Sequence, residues 1–292
     1  MFTATLITAP ASPSLEPELL MTLRNAWGGD GARMLAPGEA GEFTLPARPD
    51  NFETVWADLQ KQGVDLCLQP SEGRKKKMLL ADMDSTMIQQ ECIDELAEEA
   101  GVGERVKDIT ARAMNGELDF EGALTERVGL LKGLPVSVID KVLETRITLM
   151  PGGPELLATM KADGAYCALV SGGFTMFTAK VAARLGFDEN RANTLLTDGD
   201  RLSGEVGRPI LGREAKVQAL EEITAKLGIS DAEVLAVGDG ANDLGMLTRA
   251  GAGVALHAKP SVAAQCALRV NFGDLTALLY LQGYAKEDFA PV

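Results

Sequence analysis

An apolar run, Met78-Leu79-Leu80-Ala81, leads directly into Asp82-Met83-Asp84-Ser85-Thr86. Two aspartates separated by one residue can both face forward where a strand breaks into a loop, one as a nucleophile and its neighbour as an acid or base. Left alone, such a pair repels and resists joint ionisation. A hard divalent cation such as Mg²⁺, bound between carboxylate and phosphate oxygens, removes that penalty. The same pair could instead cap the next helix. A second segment, Ser171-Gly172-Gly173-Phe174, ends another apolar run just before a helical pattern. A serine hydroxyl and unencumbered backbone amides there make an anion site, or simply an ordinary glycine-rich turn. A third segment, Gly238-Asp239-Gly240-Ala241-Asn242-Asp243, puts Asp239 at a strand end as a natural metal ligand. Asn242 and Asp243 are spaced to hold the loop around it. A lysine is then expected to screen charge between nucleophile and phosphate. Lys216, opening the helix before the third strand, is the candidate, although a surface position is the ordinary reading of any single lysine.

These segments need a frame to position them. MLLADMD (78–84), AYCALVSGG (165–173), EVLAVGDG (233–240) and AGVAL (252–256) read as buried strands, and ALRVN (267–271) as a fifth. Helical patterns cover 154–162, 174–185 up to Gly186, and 213–227. NTLLTDGDRLSGEV (193–206) reads as a hairpin turning at Asp198-Gly199. Strands alternating with helices imply an α/β fold with a doubly wound, Rossmann-like parallel sheet, whose sites lie at the carboxyl ends of its strands. Residues 89–148 are helical in pattern without a convincing strand. Upstream, the spacing predicts a strand at 3–8 and a helix at 14–26 on Leu15, Leu19, Leu20 and Leu23. A glycine-rich stretch follows from Trp27 to Ala40, then a strand at GEFTL, so that the middle is one strand or a hairpin, then a helix at 50–62 opened by Asp50-Asn51, and a strand at 64–69. SEGRKKK (71–77) reads as a solvated polar linker. The expected organisation is a small N-terminal α/β domain at 1–72, a catalytic core at 73–88 and 149–292, and a helical insert at 89–148.

Composition narrows the function classes. The chain has 292 residues, 46% hydrophobic and 24% charged, ordinary values for a globular protein with a real core. Its net charge of −14 repels nucleic acid and anionic membrane surfaces. It would also repel a phosphorylated substrate, so a phosphate site must be locally positive. The four cysteines, Cys67, Cys92, Cys167 and Cys266, form no C-x-x-C pair and read as free thiols of a cytoplasmic protein. No signal peptide or membrane-spanning run is expected. The lone His257 reads as structural.

The order of motifs, D-x-D-x-T at 82–86, the Ser-Gly strand end, a lysine, then G-D-G-x-N-D at 238–243, resembles the haloacid dehalogenase superfamily of phosphohydrolases over residues 78 to about 272. DMDST followed by Glu91, SGGF at 171–174, VGDGANDLGM at 237–246 and AMNGELDFEGALTERVGLLKGLP at 113–135 are similar to its phosphoserine phosphatase branch. The resemblance implies Asp82 as nucleophile, Asp84 as general acid/base and Lys216 as the neutralising cation. It implies Mg²⁺ held by the Asp82 and Asp239 carboxylates and the Asp84 backbone carbonyl. Ser171, Gly172 and Asn242 would meet the phosphate, with Asp243 in support. Glu91 would face the substrate ammonium and Arg127 its carboxylate, with Met114, Phe120 and Gly173 lining the pocket. Residues 89–148 would be a mobile cap, and residues 1–72 an ACT-like regulatory module through which a homodimer could form. The implied activity is hydrolysis of O-phospho-L-serine at the end of serine biosynthesis. The alternative is a related phosphatase or phosphotransferase acting on another phosphorylated amino acid or homoserine. On spacing alone, Glu91 reads as a helix cap or salt-bridge partner, Arg127 as a surface residue, and Met114 and Phe120 as core.

Overall fold

In a computed structural model that describes residues 1–114 and 117–292, the N-terminal elements are β1 (Phe2–Thr8), α1 (Pro17–Ala26), β2 (Asp30–Ala36), β3 (Ala40–Leu45), α2 (Phe52–Gln60) and β4 (Val64–Pro70). They form an antiparallel sheet of order β2-β3-β1-β4, the split βαβ arrangement. Alternation along β1 sends Ala4 and Leu6 to one face, where they pack with Phe43, Leu66, Leu20, Phe52 and Leu59 beneath the helices. Thr3, Thr5, Asp65, Cys67 and Gln69, alternating the other way, are buried as well.

The rest of the chain begins with β5 (Met78–Ala81), then α3 (Cys92–Glu99), α4 (Gly103–Met114), α5 (Phe120–Gly129), α6 (Val138–Thr145) and α7 (Gly153–Ala162). Then come β6 (Tyr166–Phe174), α8 (Thr175–Leu185), β7 (Glu189–Asn193), the hairpin β8 (Leu195–Asp198) and β9 (Arg201–Val206), and α9 (Arg213–Leu227). The chain closes with β10 (Val234–Gly238), α10 (Leu244–Arg249), β11 (Ala252–Leu256), α11 (Pro260–Ala263), β12 (Leu268–Val270) and α12 (Ala277–Leu281). The larger sheet has six strands in the order β12-β11-β10-β5-β6-β7, so the expected doubly wound α/β architecture is present. β10/β11, β11/β12 and β6/β7 pair in parallel. The chain divides into two compact units, one of residues 1–80, 151–167 and 220–292, the other of residues 81–150 and 168–219.

Several expectations shift. β2 occupies part of the glycine-rich stretch and makes the middle element a hairpin, because pairing with β3 outweighs its weak strand preference. α1 starts at Pro17 rather than residue 14, proline being favoured in the first helical turn. Asn51 precedes α2 but makes no side-chain cap; its Oδ1 accepts instead from Trp27 Nε1 at 3.0 Å. β7 was not expected, since its polar residues lack an apolar pattern. The hairpin turns at Gly199-Asp200, one residue later than read, with Asp198 and Arg201 as the last pair. The basic linker keeps Lys75 and Lys77 exposed, as expected of a solvated connection, but its side chains are paired and Arg74 is drawn in. Arg74 pairs with Glu42 at 2.6 Å and donates to the carbonyls of Leu281 and Tyr280, while Lys75 pairs with Asp163 and Lys77 with Glu233.

Within the first unit, the buried polar face of the small sheet meets the C-terminal segment. Asp65, fully buried, accepts from the backbone N–H groups of Asn271, Phe272 and Gly273, each at 2.9 Å. Burial pushes its carboxyl up despite the lowering pull of those amides. Tyr280 Oη donates to Glu39 at 2.6 Å, and Gln69 Nε2 donates to the Leu281 carbonyl at 2.7 Å. His257 Nε2 lies 2.8 Å from the Gly273 carbonyl. Replacing Asp65 by alanine should lower the unfolding free energy of the full chain by about 3 kcal/mol or more, because each buried donor left unpaired costs ~1–3 kcal/mol. Urea titration measures it; a loss under about 0.5 kcal/mol, the range of an ordinary surface change, would refute the clamp.

Candidate active site

The four residues of β5 are all buried, and Asp82 follows at the point where the strand ends. Lys216, in the first turn of α9, reaches Asp82 Oδ1 with Nζ at 2.6 Å. Both side chains are nearly withdrawn from water, at 2% and 7% exposure, so this lysine is not the surface residue that a lone Lys would suggest. A buried carboxylate of this kind is tolerated only with its countercharge in place.

Asp84 is held from two sides. Its Oδ1 accepts from the Cys92 backbone N–H at 2.9 Å, and its Oδ2 accepts from Ser171 Oγ at 3.3 Å. It keeps some exposed surface, yet desolvation is the largest influence and raises its pKa against the lowering effects of Cys92, Lys216 and Ser171. A carboxyl displaced in that direction can keep a proton to give. Gly173 N–H donates to Ser171 Oγ at 2.8 Å. A Cβ at Gly173 would stand 2.7 Å from Asp84 Oδ2, so close approach, not turn geometry, demands glycine there.

Between the strand and α3 the chain turns sharply. Ser85 takes a φ of 54°, a left-handed conformation uncommon for a residue with a side chain. Its N–H donates to the Gln90 carbonyl and its Oγ to Glu91 Oε1 at 2.7 Å. Glu91 sits at the N-cap position of α3 but does not cap it; its carboxylate stays exposed and is oriented by Ser85. Arg127, on α5, is half-buried and donates from Nε to the Ala123 carbonyl at 3.3 Å. Burial lowers its pKa, while Asp94, Glu91 and Asp84 pull it back up. Its planar fork therefore stands in the field of three carboxylates. Phe120, first residue of α5, is 37% exposed and flanks a groove with Ile210, Gly212 and Arg213. The Met114 side chain lies outside the described residues.

In the other unit, the turn after β10 carries Asp239, half-buried directly beyond the strand, and Asn242, also half-buried. Asp243 is fully buried and accepts from Gly240 N–H at 2.9 Å, closing the turn on itself. A Cβ on Gly238 would collide with the Asp243 carboxyl, which explains that glycine. Asp239 and Asp243 in this unit, like Asp82 in the other, bring carboxylate oxygens, donors suited to a hard divalent cation. Cys92 and Ser85 were not singled out in the sequence. Ser85 lay inside the motif, but nothing in the spacing marks a cysteine whose amide holds the acid.

A family model described as haloacid dehalogenase-like hydrolase matches residues 79–248. A phosphoserine phosphatase from Archaeoglobus fulgidus is 46% identical over 204 residues, 69% of this chain and 59% of the relative, so the chain spans rather more than half of that protein's length. A HAD family hydrolase from Salmonella enterica subsp. enterica serovar Typhi superposes with a TM-score of 0.85 at 33% identity, covering 96% of this chain and 98% of that one. A structure titled as a phospho-aspartyl intermediate analogue of phosphoserine phosphatase gives 0.66 at 42% identity, over 70% of this chain and 98% of that chain.

Lys216→Met should destabilise the protein by about 3 kcal/mol in metal-free buffer, since it strands a buried carboxylate. Adding Asp82→Asn should recover a large part of that loss, which a double-mutant cycle of unfolding free energies reads directly. Simple additivity would mean that the two charges do not depend on each other.

Proposed function

The chain belongs to the haloacid dehalogenase-like hydrolases, and from that premise we propose that it hydrolyses O-phospho-L-serine to L-serine and phosphate through a phospho-Asp82 intermediate. The observation that carries this reading is the division of labour between two adjacent aspartates. Asp82 is ion-paired with Lys216, while Asp84 is displaced towards its protonated form and held by Cys92 and Ser171.

In the first half-reaction Asp82 attacks phosphorus and Asp84 protonates the departing seryl oxygen, which would be a poor leaving group as a bare alkoxide. In the second, Asp84 takes a proton from the water that attacks phospho-Asp82, and both carboxyl groups return to their starting states. Lys216, Ser171 and the Gly172 backbone hold the phosphoryl oxygens, whose charge is spread and needs positioning more than covalent chemistry. Mg²⁺ fits the carboxylate donors; the Asp82 and Asp239 side chains and the Asp84 carbonyl would hold it, with Asp243 and Asn242 in support. When bound it supplies positive charge that offsets the phosphoryl oxygens.

Glu91 suits the substrate ammonium and Arg127 its carboxylate, since the guanidinium can meet both oxygens at once. Phe120 and Gly173 would line the pocket with them. We assign residues 1–72 to an ACT-like N-terminal module, 73–88 and 149–292 to the core, and 89–148 to the cap. The module's split βαβ order supports this assignment. Its edge strand β2 offers the surface through which two copies would pair. Four buried free thiols support a reducing, cytoplasmic setting. No described helix is long and apolar enough to cross a membrane.

Phosphate release from O-phospho-L-serine should require Mg²⁺, stop with EDTA, exceed release from O-phospho-L-threonine, and vanish in Asp82→Asn. Arg127→Ala should raise KM by about a hundredfold with a smaller change in kcat, in line with loss of a charge-assisted contact worth ~2–3 kcal/mol. Activity on an aryl phosphate with none on phosphoserine would keep the aspartate chemistry and remove the roles of Glu91 and Arg127.

A further inference from the structure

β6 carries the Ser171-Gly172-Gly173 segment, and its pairing with β7 is broken just there. Residues 168–170 pair in step with 189–191, and the ladder then jumps to Phe174 opposite Asn193. A bulge of this kind leaves backbone groups without ladder partners. One of them, the Gly172 carbonyl, is taken by a side chain: Asn193 Nδ2 donates to it at 2.8 Å. Asn193 is 1% exposed, and its amide makes two further bonds. Nδ2 also donates to the Leu211 carbonyl at 3.1 Å, and Oδ1 accepts from the Leu211 N–H at 2.6 Å.

Both ends of one peptide plane are therefore pinned. The Gly172 carbonyl and the Gly173 N–H belong to the same planar unit. Its oxygen is held by Asn193, and its N–H donates to Ser171 Oγ, which in turn donates to Asp84. The other two bonds of Asn193 fix Leu211, two residues before α9, the helix that carries Lys216. A primary amide is the group that fits: it brings two N–H donors and an accepting oxygen on a short stem. Aspartate would bring no donor to the two carbonyls, and leucine no polar contact at all.

We propose that Asn193 is a positioning residue of the phosphate site, setting the orientation of the Ser171-Gly172-Gly173 peptide and tying it to the lead-in of the Lys216 helix. The proposal rests on the phosphatase reading above, because it needs Ser171 and Gly172 to meet phosphate. Asn193 touches neither substrate nor reacting atoms in this role.

The test uses the full chain with MgCl₂ and inorganic phosphate as the probe, because phosphate addresses this segment whatever the leaving group. Asn193→Ala and Asn193→Asp should each weaken phosphate as a competitive inhibitor by about tenfold, the effect of losing one buried hydrogen bond, and should lower kcat more than they raise KM. Both are measured well below the melting temperature, with circular dichroism confirming the fold. A role confined to stability would lower Tm and leave the phosphate inhibition constant unchanged, which would overturn the proposal.

If neither variant folds, the wild type decides by NMR. The Asn193 side-chain amide signals should shift on phosphate addition with the same dissociation constant as the Gly173 backbone amide. A Gly173 shift with Asn193 unmoved would overturn the proposal. A wild type that neither hydrolyses phosphoserine nor binds phosphate would overturn the phosphatase reading instead, so the two failures are told apart.

Discussion

A carboxylate and an ammonium group 2.6 Å apart, both nearly out of water, set the terms for the rest of the second unit. Two buried charges cost several kcal/mol each to desolvate, and their attraction offsets that only with good geometry and further hydrogen bonds. Asp82 must leave a strand at one defined point, and Lys216 must arrive from the first turn of a helix that starts some hundred and thirty residues later. The uniformly buried β5 supplies the first anchor. The second is α9, whose Ala219, Leu220 and Ile223 are wholly buried and fix which side of the helix Lys216 shares.

The two neighbouring acids stand in different surroundings. Asp82 has the Lys216 ammonium at ion-pair distance. Asp84, two residues on, has a lysine in its field but is dominated by desolvation, so its carboxyl moves up. Backbone polarity does the remaining work. The Cys92 amide holds one oxygen of Asp84, and the glycines after Ser171 let the chain approach the other closely. In a chain of net charge −14, the positive charge beside Asp82 thus comes from one placed lysine rather than from a broad basic surface.

In the first unit the fold handles buried polarity by a different route. The small sheet buries both its faces, one on its own helices with apolar residues, the other against the C-terminal segment with Asp65, Gln69, Glu39 and Glu42. Each of these acidic or amide groups is answered, by backbone N–H groups, a tyrosine hydroxyl, a carbonyl or Arg74. Such groups are costly if unpaired, so they specify one docking arrangement more sharply than apolar contact would. The basic segment after β4 is part of that arrangement, which is why Arg74 is half-buried in a stretch whose composition reads as a solvated connection.

By itself the sequence determined the parts whose physics is local. Apolar runs ending in Asp82 and in Asp239 marked two strand ends of the parallel sheet, and the run into Ser171 marked a strand that continues to Phe174, because a strand buried on both faces must be continuously apolar. Glycine at 186 and the heptad-like leucines of α1 marked helices for equally local reasons. Tertiary structure decided the rest. β2 and β7 exist because neighbours supply their hydrogen bonds, not because their own residues favour strands. That Lys216 is buried rather than exposed, that Cys92 holds Asp84, and that Asn193 answers the carbonyl freed by the bulge in β6 all depend on residues distant in the chain. No periodicity within a short window carries that information, since a hydrogen bond between remote segments leaves no spacing in either one.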